Sequence, residues 1–264
     1  MPVSRKKFIW LTCFMLFLLL MAPPVIGEMS VSERSLPADT VIADTFQAGT
    51  GRPVGKLQSV QGETIIFHRD PSVGYRAKAG LPLYQGDILM TRKNSRILFR
   101  LVDGSRLTMA PGAMLTLLQS DSNSARKSSV SFLALKQGGV RFYVNPRSEL
   151  STFEFKVETE TAFVQAQAAD FIIKADRGYT EILAFDNSRL EVTSLAEPEE
   201  THFLSDYQRT VVRPESVAPA VETVSPADAE VSKAEFRLVP DNKFLTSGSL
   251  KYGGAGEKKH TAGN

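Results

Sequence analysis

From Arg96 to Met109 the side chains change character at nearly every step, and one Asp-Gly pair interrupts them. Ile97, Phe99 and Leu101 alternate with Arg96, Leu98 and Arg100, which is the two-residue period of a strand with one buried face. Asp103-Gly104 follows at once. It predicts a tight type I′ turn, whose two central positions both need φ > 0. Leu107 and Met109 resume the alternation on a return strand. Ala110-Pro111-Gly112 ends it, because Pro111 has no N–H to give to a ladder. Leu115 and Leu117 open a third short strand, and upstream Gly86-Asp87 marks a turn before Ile88, Leu89 and Met90.

The same period recurs along the chain. Leu57, Val60 and Ile65 to Phe67 predict two short strands around Gln61-Gly62. Val130 to Leu135 and Val140 to Val144 predict two more, with Gln137-Gly138-Gly139 as the turn between them. Phe153, Phe155 and Val157 alternate with Glu154, Lys156 and Glu158. The alanines between Ala162 and Ala169 invite a helix, but Phe171, Ile172 and Ile173 and the surrounding period favour strands. Turn signals spaced this closely predict an all-β chain of stacked short hairpins, in a two-layer sandwich or a solenoid-like arrangement.

The ends differ from the middle. Arg5, Lys6 and Lys7 precede an apolar run from Phe8 to Met21, then Ala22-Pro23-Pro24 and a small residue at Gly27. This is the layout of a secretory signal peptide over residues 1–27, starting in a hydrophobic helix. The alternative is an uncleaved inner-membrane anchor formed by residues 8–26, although the run is short for a span of about 20 residues. The expected location is therefore periplasmic or otherwise extracytoplasmic. Cys13, inside the apolar run, is the one cysteine; the rest of the chain can form neither a disulfide framework nor a cysteine–metal site. Residues 28–54 are polar and read as a flexible spacer, with one short ordered piece around Val41 to Phe46. The β domain is expected over 55–213. Residues 214–264 read as a Pro/Ala/Gly-rich linker and disordered tail, within which Phe236, Leu238, Val239, Phe244 and Leu245 suggest a small docking segment.

Gly86-Asp87, Thr91, Ser95 and Asp103-Gly104-Ser105-Arg106-Leu107 resemble the signature of FecR-like domains, G-D-x-x-x-T-x-x-x-S followed by D-G-S-x-L. The resemblance runs from about Gly55 to Pro214. It includes Leu135 to Arg141, with Gly139 in the family's glycine-containing strand, and Val157 to Phe171. There Gln167-Ala168-Ala169 replaces the usual Arg-Gly-Thr, which removes a fork-shaped donor and constrains the backbone. The resemblance implies an extracytoplasmic all-β interaction module in envelope signalling, docking or assembly, not an enzyme. The best-known members hold a sigma factor through a cytoplasmic segment. Here only the residues before Phe8 would lie on that side, so direct sigma-factor binding is not expected.

No catalytic pattern stands out. His68 and His202 are isolated, and Asp87 and Asp103 read as turn residues whose side chains bond their own backbone. Spaced histidines for a metal, a G-x-S-x-G elbow and a phosphate loop are all absent from the sequence. Neither a cofactor nor nucleic acid is expected, since the formal charge is only +2. Arg96, Arg100 and Arg106 offer a contact surface toward cell-wall polymer or an acidic partner, although an ordinary solvated strand face is the preferred reading for mixed charge. Two classes of partner stay open. An exposed apolar edge would favour an envelope protein. Tyrosines clustered on one face, drawn from Tyr75, Tyr84, Tyr143, Tyr179 and Tyr207, would favour a peptidoglycan or polysaccharide ligand.

Overall fold

The two-residue period becomes eighteen strands and one short helix among the residues that the computed structural model describes: 40–68, 72–123, 125–144, 150–215 and 220–238. The expected hydrophobic N-terminal helix and the end of the chain past 238 lie outside them. All the strands belong to a single open, hydrogen-bonded sheet. Its ladders fall into two series, here called leaves, that share only β10, Ser128–Val144.

In the first leaf the strands run in the order β1 (Val41–Ala43), β4 (Val73–Arg76), β3 (Thr64–His68), β6 (Asp87–Thr91), β9 (Met114–Asn123), the first half of β10, β11 (Thr152–Glu158), β12 (Ala162–Ala166), β15 (Leu190–Ser194) and β16 (Thr201–Leu204). In the second leaf the order is β5 (Pro82–Leu83), β2 (Gly55–Gln61), β7 (Arg96–Leu101), β8 (Arg106–Met109), the second half of β10, β13 (Ala169–Asp176), β14 (Tyr179–Ala184), β17 (Gln208–Val212) and β18 (Val221–Thr223). After β10 the hairpins alternate between leaves: β11–β12 in the first, β13–β14 in the second, β15–β16 in the first, β17–β18 in the second. Each lies beside an earlier hairpin of its own leaf.

Apolar residues of both leaves meet in one cluster. Phe142 lies at a junction within it. It stacks on Phe171 of its own leaf, with ring centroids 4.9 Å apart, and meets Phe155 of the first leaf edge-on at 6.0 Å. Such pairs add roughly 0.5–1.5 kcal/mol to what burial of their area gives.

Three predicted turns take a different form. Gln137-Gly138-Gly139 is no turn: β10 runs straight through it and crosses from one leaf to the other there. Gly138 has φ +81, and a Cβ on it would come within 2.5 Å of the Ala113 backbone, so only glycine fits the crossing. Gln61-Gly62 likewise joins strands of different leaves rather than a hairpin, because β2 pairs with β5 and β7 while β3 pairs with β4 and β6. The Asp103-Gly104 hairpin is real but is not type I′. Only Gly104 has positive φ (+97), and its N–H donates to the Leu101 carbonyl at 3.1 Å. This is the three-residue connection, with glycine at the left-handed position.

The flanks are more ordered than the sequence suggests. Within the expected spacer, β1 adds to β4 in parallel and the Val54 N–H donates to Leu83 O at 2.7 Å. Within the expected linker, β18 pairs with β17, and helix α1 spans Pro226–Ala234. Ser225 caps the helix by accepting from the Asp228 N–H, Pro226 occupies the first turn, where its missing N–H costs nothing, and Lys233 faces the negative C-terminal end. Ala229 and Phe236 pack on Ala110, Ile172, Leu183 and Phe185, on the side of the second leaf away from the main cluster. Phe236 thus docks as its sequence suggests, and Gly139 is where its ring comes close: a Cβ there would lie 3.1 Å from it.

Candidate functional site

The signature residues are fastenings between turns. Gly86 takes positive φ (+88), and Asp87 accepts from the Tyr84 N–H at 2.8 Å. The Thr91 hydroxyl donates to Ala110 O at 2.6 Å and accepts from the Ala113 N–H at 2.8 Å, closing the turn around Pro111-Gly112. The Ser95 Oγ accepts from the Glu63 N–H at 2.8 Å, across the leaf-to-leaf passage at Gly62. Asp103 accepts from the Ser105 N–H and the Ser131 hydroxyl, both at 2.7 Å. Leu107 is fully buried, and Phe171 stacks on Phe142. Asp87 and Asp103 thus each accept from a backbone N–H of their own turn.

His68 is not the isolated histidine it seems in sequence. Its Nδ1 lies 2.7 Å from Asp87 Oδ1 and its Nε2 lies 2.9 Å from Gln47 O. Phe46, Tyr75 and Tyr84 surround the ring at centroid distances of 5.1–5.6 Å. The histidine therefore fastens the 44–49 stretch to the sheet. No sequence signal could have found this, because residues 46, 68, 75, 84 and 87 meet only once β1, β3, β4 and β6 are side by side. Among the described residues no group of three or more His, Cys, Asp or Glu is placed to hold a metal.

The arginines face outward on the second leaf. Arg100 and Arg106 are exposed and stand opposite each other across the β7–β8 hairpin. The Arg106 guanidinium lies over the Tyr143 ring, 4.4 Å from its centroid. Arg96 is set apart from them, since its Nε donates to Glu235 O at 2.6 Å at the end of α1. Sequence reading missed Arg141 on β10, which makes two hydrogen bonds to Asp170 at 2.6 and 2.9 Å. That bonding holds the guanidinium pKa above its ordinary value, against the opposing effect of burial. Leu98, Arg106, Thr108, Arg141 and Tyr143 line a cleft of about 200 Å³.

Of the tyrosines whose clustering would favour a glycan, Tyr75 and Tyr84 are buried around His68 and Tyr207 packs against the Ile172 cluster, while Tyr143, beneath the Arg106 guanidinium, and Tyr179 are exposed. An apolar edge is present. Phe203 is 64% exposed on β16, which among the described residues has one ladder, with β15. At the position of the family's Arg-Gly-Thr, Gln167 and Ala168 are exposed between β12 and β13, where the chain passes between leaves.

Residues 87–188 match the model of the FecR protein family, so this stretch is FecR-like, as the signature implies. Among solved structures, a candidate anti-sigma factor from Parabacteroides distasonis is similar at 15% identity and a TM-score of 0.43, over 55% of this chain and 63% of that one. A second structure so described, from the same organism, is similar at 14% identity and a TM-score of 0.43, over 54% and 62%. This chain therefore spans somewhat under two thirds of those proteins. The comparison with curated proteins gives no match.

Proposed function

Starting from a FecR-like stretch at residues 87–188, we propose that the chain is a non-enzymatic interaction module of the cell envelope, acting in signalling, docking or assembly through contact with another protein. The observation that carries this reading is Phe203, a large apolar side chain 64% exposed on an edge strand. An edge strand offers unpaired N–H and C=O groups, and β-strand addition is a recurrent way for one protein to hold another. Leu195, nearby in sequence, is also exposed, so two large apolar side chains lie at this end of the first leaf.

In this reading the chain works outside the cytoplasm. The basic cluster Arg5–Lys7 and the apolar run after it support export, either with cleavage near Gly27 or with residues 8–26 kept as an anchor. Signature residues that fasten turns instead of converging on a cavity support a binding role over catalysis.

A photo-crosslinking amino acid at position 203 of the exported chain, in the native envelope, tests the proposal. A discrete protein adduct, lost when Leu195 is also changed to Asp, is the expected result. An adduct with glycan alone would replace this reading with the polysaccharide one.

A further inference from the structure

A row of cations crosses the outer face of the second leaf. Lys56 on β2 pairs with Arg100 on β7, and Arg100 pairs with Arg106 on β8. Next in the row is Tyr143 on β10, under the Arg106 guanidinium. Neighbouring strands are about 4.8 Å apart, so three like charges occupy consecutive places. All three are exposed, and among the described residues none has a carboxylate partner. Like charges directly opposite on paired strands destabilise a sheet. A sheet face with this defect gains when an anion arrives.

The face also shows what kind of anion suits it, because one end already holds a peptide of this chain. Glu235 at the end of α1 bonds through its carbonyl to Arg96 and through its carboxylate to Lys174, and Phe236 and Ala229 fill the apolar patch beside them. The segment carries Asp228, Glu230 and Glu235 against Lys233 and Arg237, a net charge of −1, and sets one carboxylate, that of Glu235, on a cation of this face beside its apolar residues. It covers the row of positions that contains Arg96. One step along β7, at Leu98, lies the cleft lined by Arg106, Thr108 and Arg141. One further step is Arg100, in the row of unpaired cations. Arg106 already rests over the Tyr143 ring, so little freedom is lost when it meets a ligand.

We infer that the face formed by Lys56, Arg100, Arg106 and Tyr143, with the cleft beside it, docks an acidic segment of a partner protein, continuing the contact that α1 makes in cis. The inference concerns a different surface from β16 and goes beyond the general reading of the chain as a protein-contact module.

Fluorescence anisotropy of a fluorescein-labelled hexaglutamate peptide against the full chain tests it, with polygalacturonate and phosphatidylglycerol vesicles as comparators. Saturable peptide binding is expected, weakening as salt is raised. Arg100→Glu is expected to lower the affinity roughly tenfold or more. The same substitution sets a carboxylate between Lys56 and Arg106, so the variant should melt at a higher temperature, which separates lost binding from lost folding. Arg126→Glu, on the distant β9–β10 loop, makes the same change of net charge and should bind as the parent does. The inference is overturned if the peptide does not saturate, if Arg100→Glu and Arg126→Glu bind alike, or if polygalacturonate or the vesicles compete out the peptide at lower concentration than unlabelled hexaglutamate. Should the peptide fail while position 203 still crosslinks to a protein, this inference falls and the protein-contact reading stands.

Discussion

The Ser131 hydroxyl donates to the Asp103 carboxylate at 2.7 Å, tying the first-leaf half of β10 to the β7–β8 turn of the second leaf. Both residues are buried, and Ser120 extends the chain of bonds from Ser131 at 3.0 Å. Asp103→Ala would leave the Ser105 N–H and the Ser131 hydroxyl short of an acceptor. Unmet buried polar groups cost about 1–3 kcal/mol each, so a loss of roughly 3 kcal/mol is expected. Urea denaturation should show a lower midpoint at unchanged slope. A midpoint within error of the parent would mean that the carboxylate fastens nothing.

Ser105, two residues on, makes the opposite case. Its backbone N–H is bonded to Asp103, but its Oγ is buried with no hydrogen-bond partner among the described residues. Ser105→Ala removes a desolvated hydroxyl and leaves the turn bonds in place. Stability should hold or rise by about 1 kcal/mol. A clear loss in the same denaturation assay would show that the hydroxyl has a partner after all.

His68 joins the 44–49 stretch to Asp87 and is walled in by Phe46, Tyr75 and Tyr84. His68→Ala should release that stretch locally while leaving β7 to β10 closed. Hydrogen exchange read by mass spectrometry should quicken roughly tenfold in residues 41–49, in keeping with about 1–2 kcal/mol of lost local stability. Equal quickening throughout would instead make His68 part of the global core.

Gly138 faces two constraints at once, a φ of +81 and the Ala113 backbone 2.5 Å from where a Cβ would stand. Gly138→Ala should cost about 3 kcal/mol or more, since the backbone cannot yield without breaking β10. Gly178→Ala, at φ +75 but with open space around it, should cost distinctly less. The two thermal midpoints measured side by side decide this.

Helix α1 should lose one contribution to its stability only at a pH below the ordinary glutamate range. The hydrogen bond from Lys233, followed by that residue's charge, holds the Glu230 carboxyl below the ordinary glutamate range. A depressed folded-state value means that the contribution is complete above the unfolded value and disappears as pH falls through the folded one. Chemical shifts of residues 226–236 should therefore move at pH values below the usual glutamate titration, while shifts of β7 and β8 stay in place. Simultaneous loss of both sets would show that α1 is no separate unit.

What the sequence made legible was local. Alternation at Ile97, Phe99 and Leu101 located β7, and Asp103-Gly104 located its hairpin. What it could not show was which leaf a strand joins. The step from β2 to β3 through Gly62 and the step through Gly138 resemble turns in sequence, because glycine serves tight turns and crossings alike. The row Lys56–Arg100–Arg106 was half visible: the hairpin register pairs the arginines, but Lys56 enters only through a long-range ladder with a register shift between Leu57 and Ser59. Alpha1 was hidden because Pro226 and the alanines around it read as linker composition, whereas proline in a first turn after a serine cap begins a helix.

Every backbone ladder between the first nine strands and the last eight passes through β10. A pull on the two ends of the chain would thus reach the middle of the molecule along a single seventeen-residue ribbon. That ribbon is gripped on both sides along each of its halves, so it must shear either β8 and β9 or β11 and β13 before the two portions part. Tension would be felt last where the polypeptide is thinnest in connectivity and most heavily zipped.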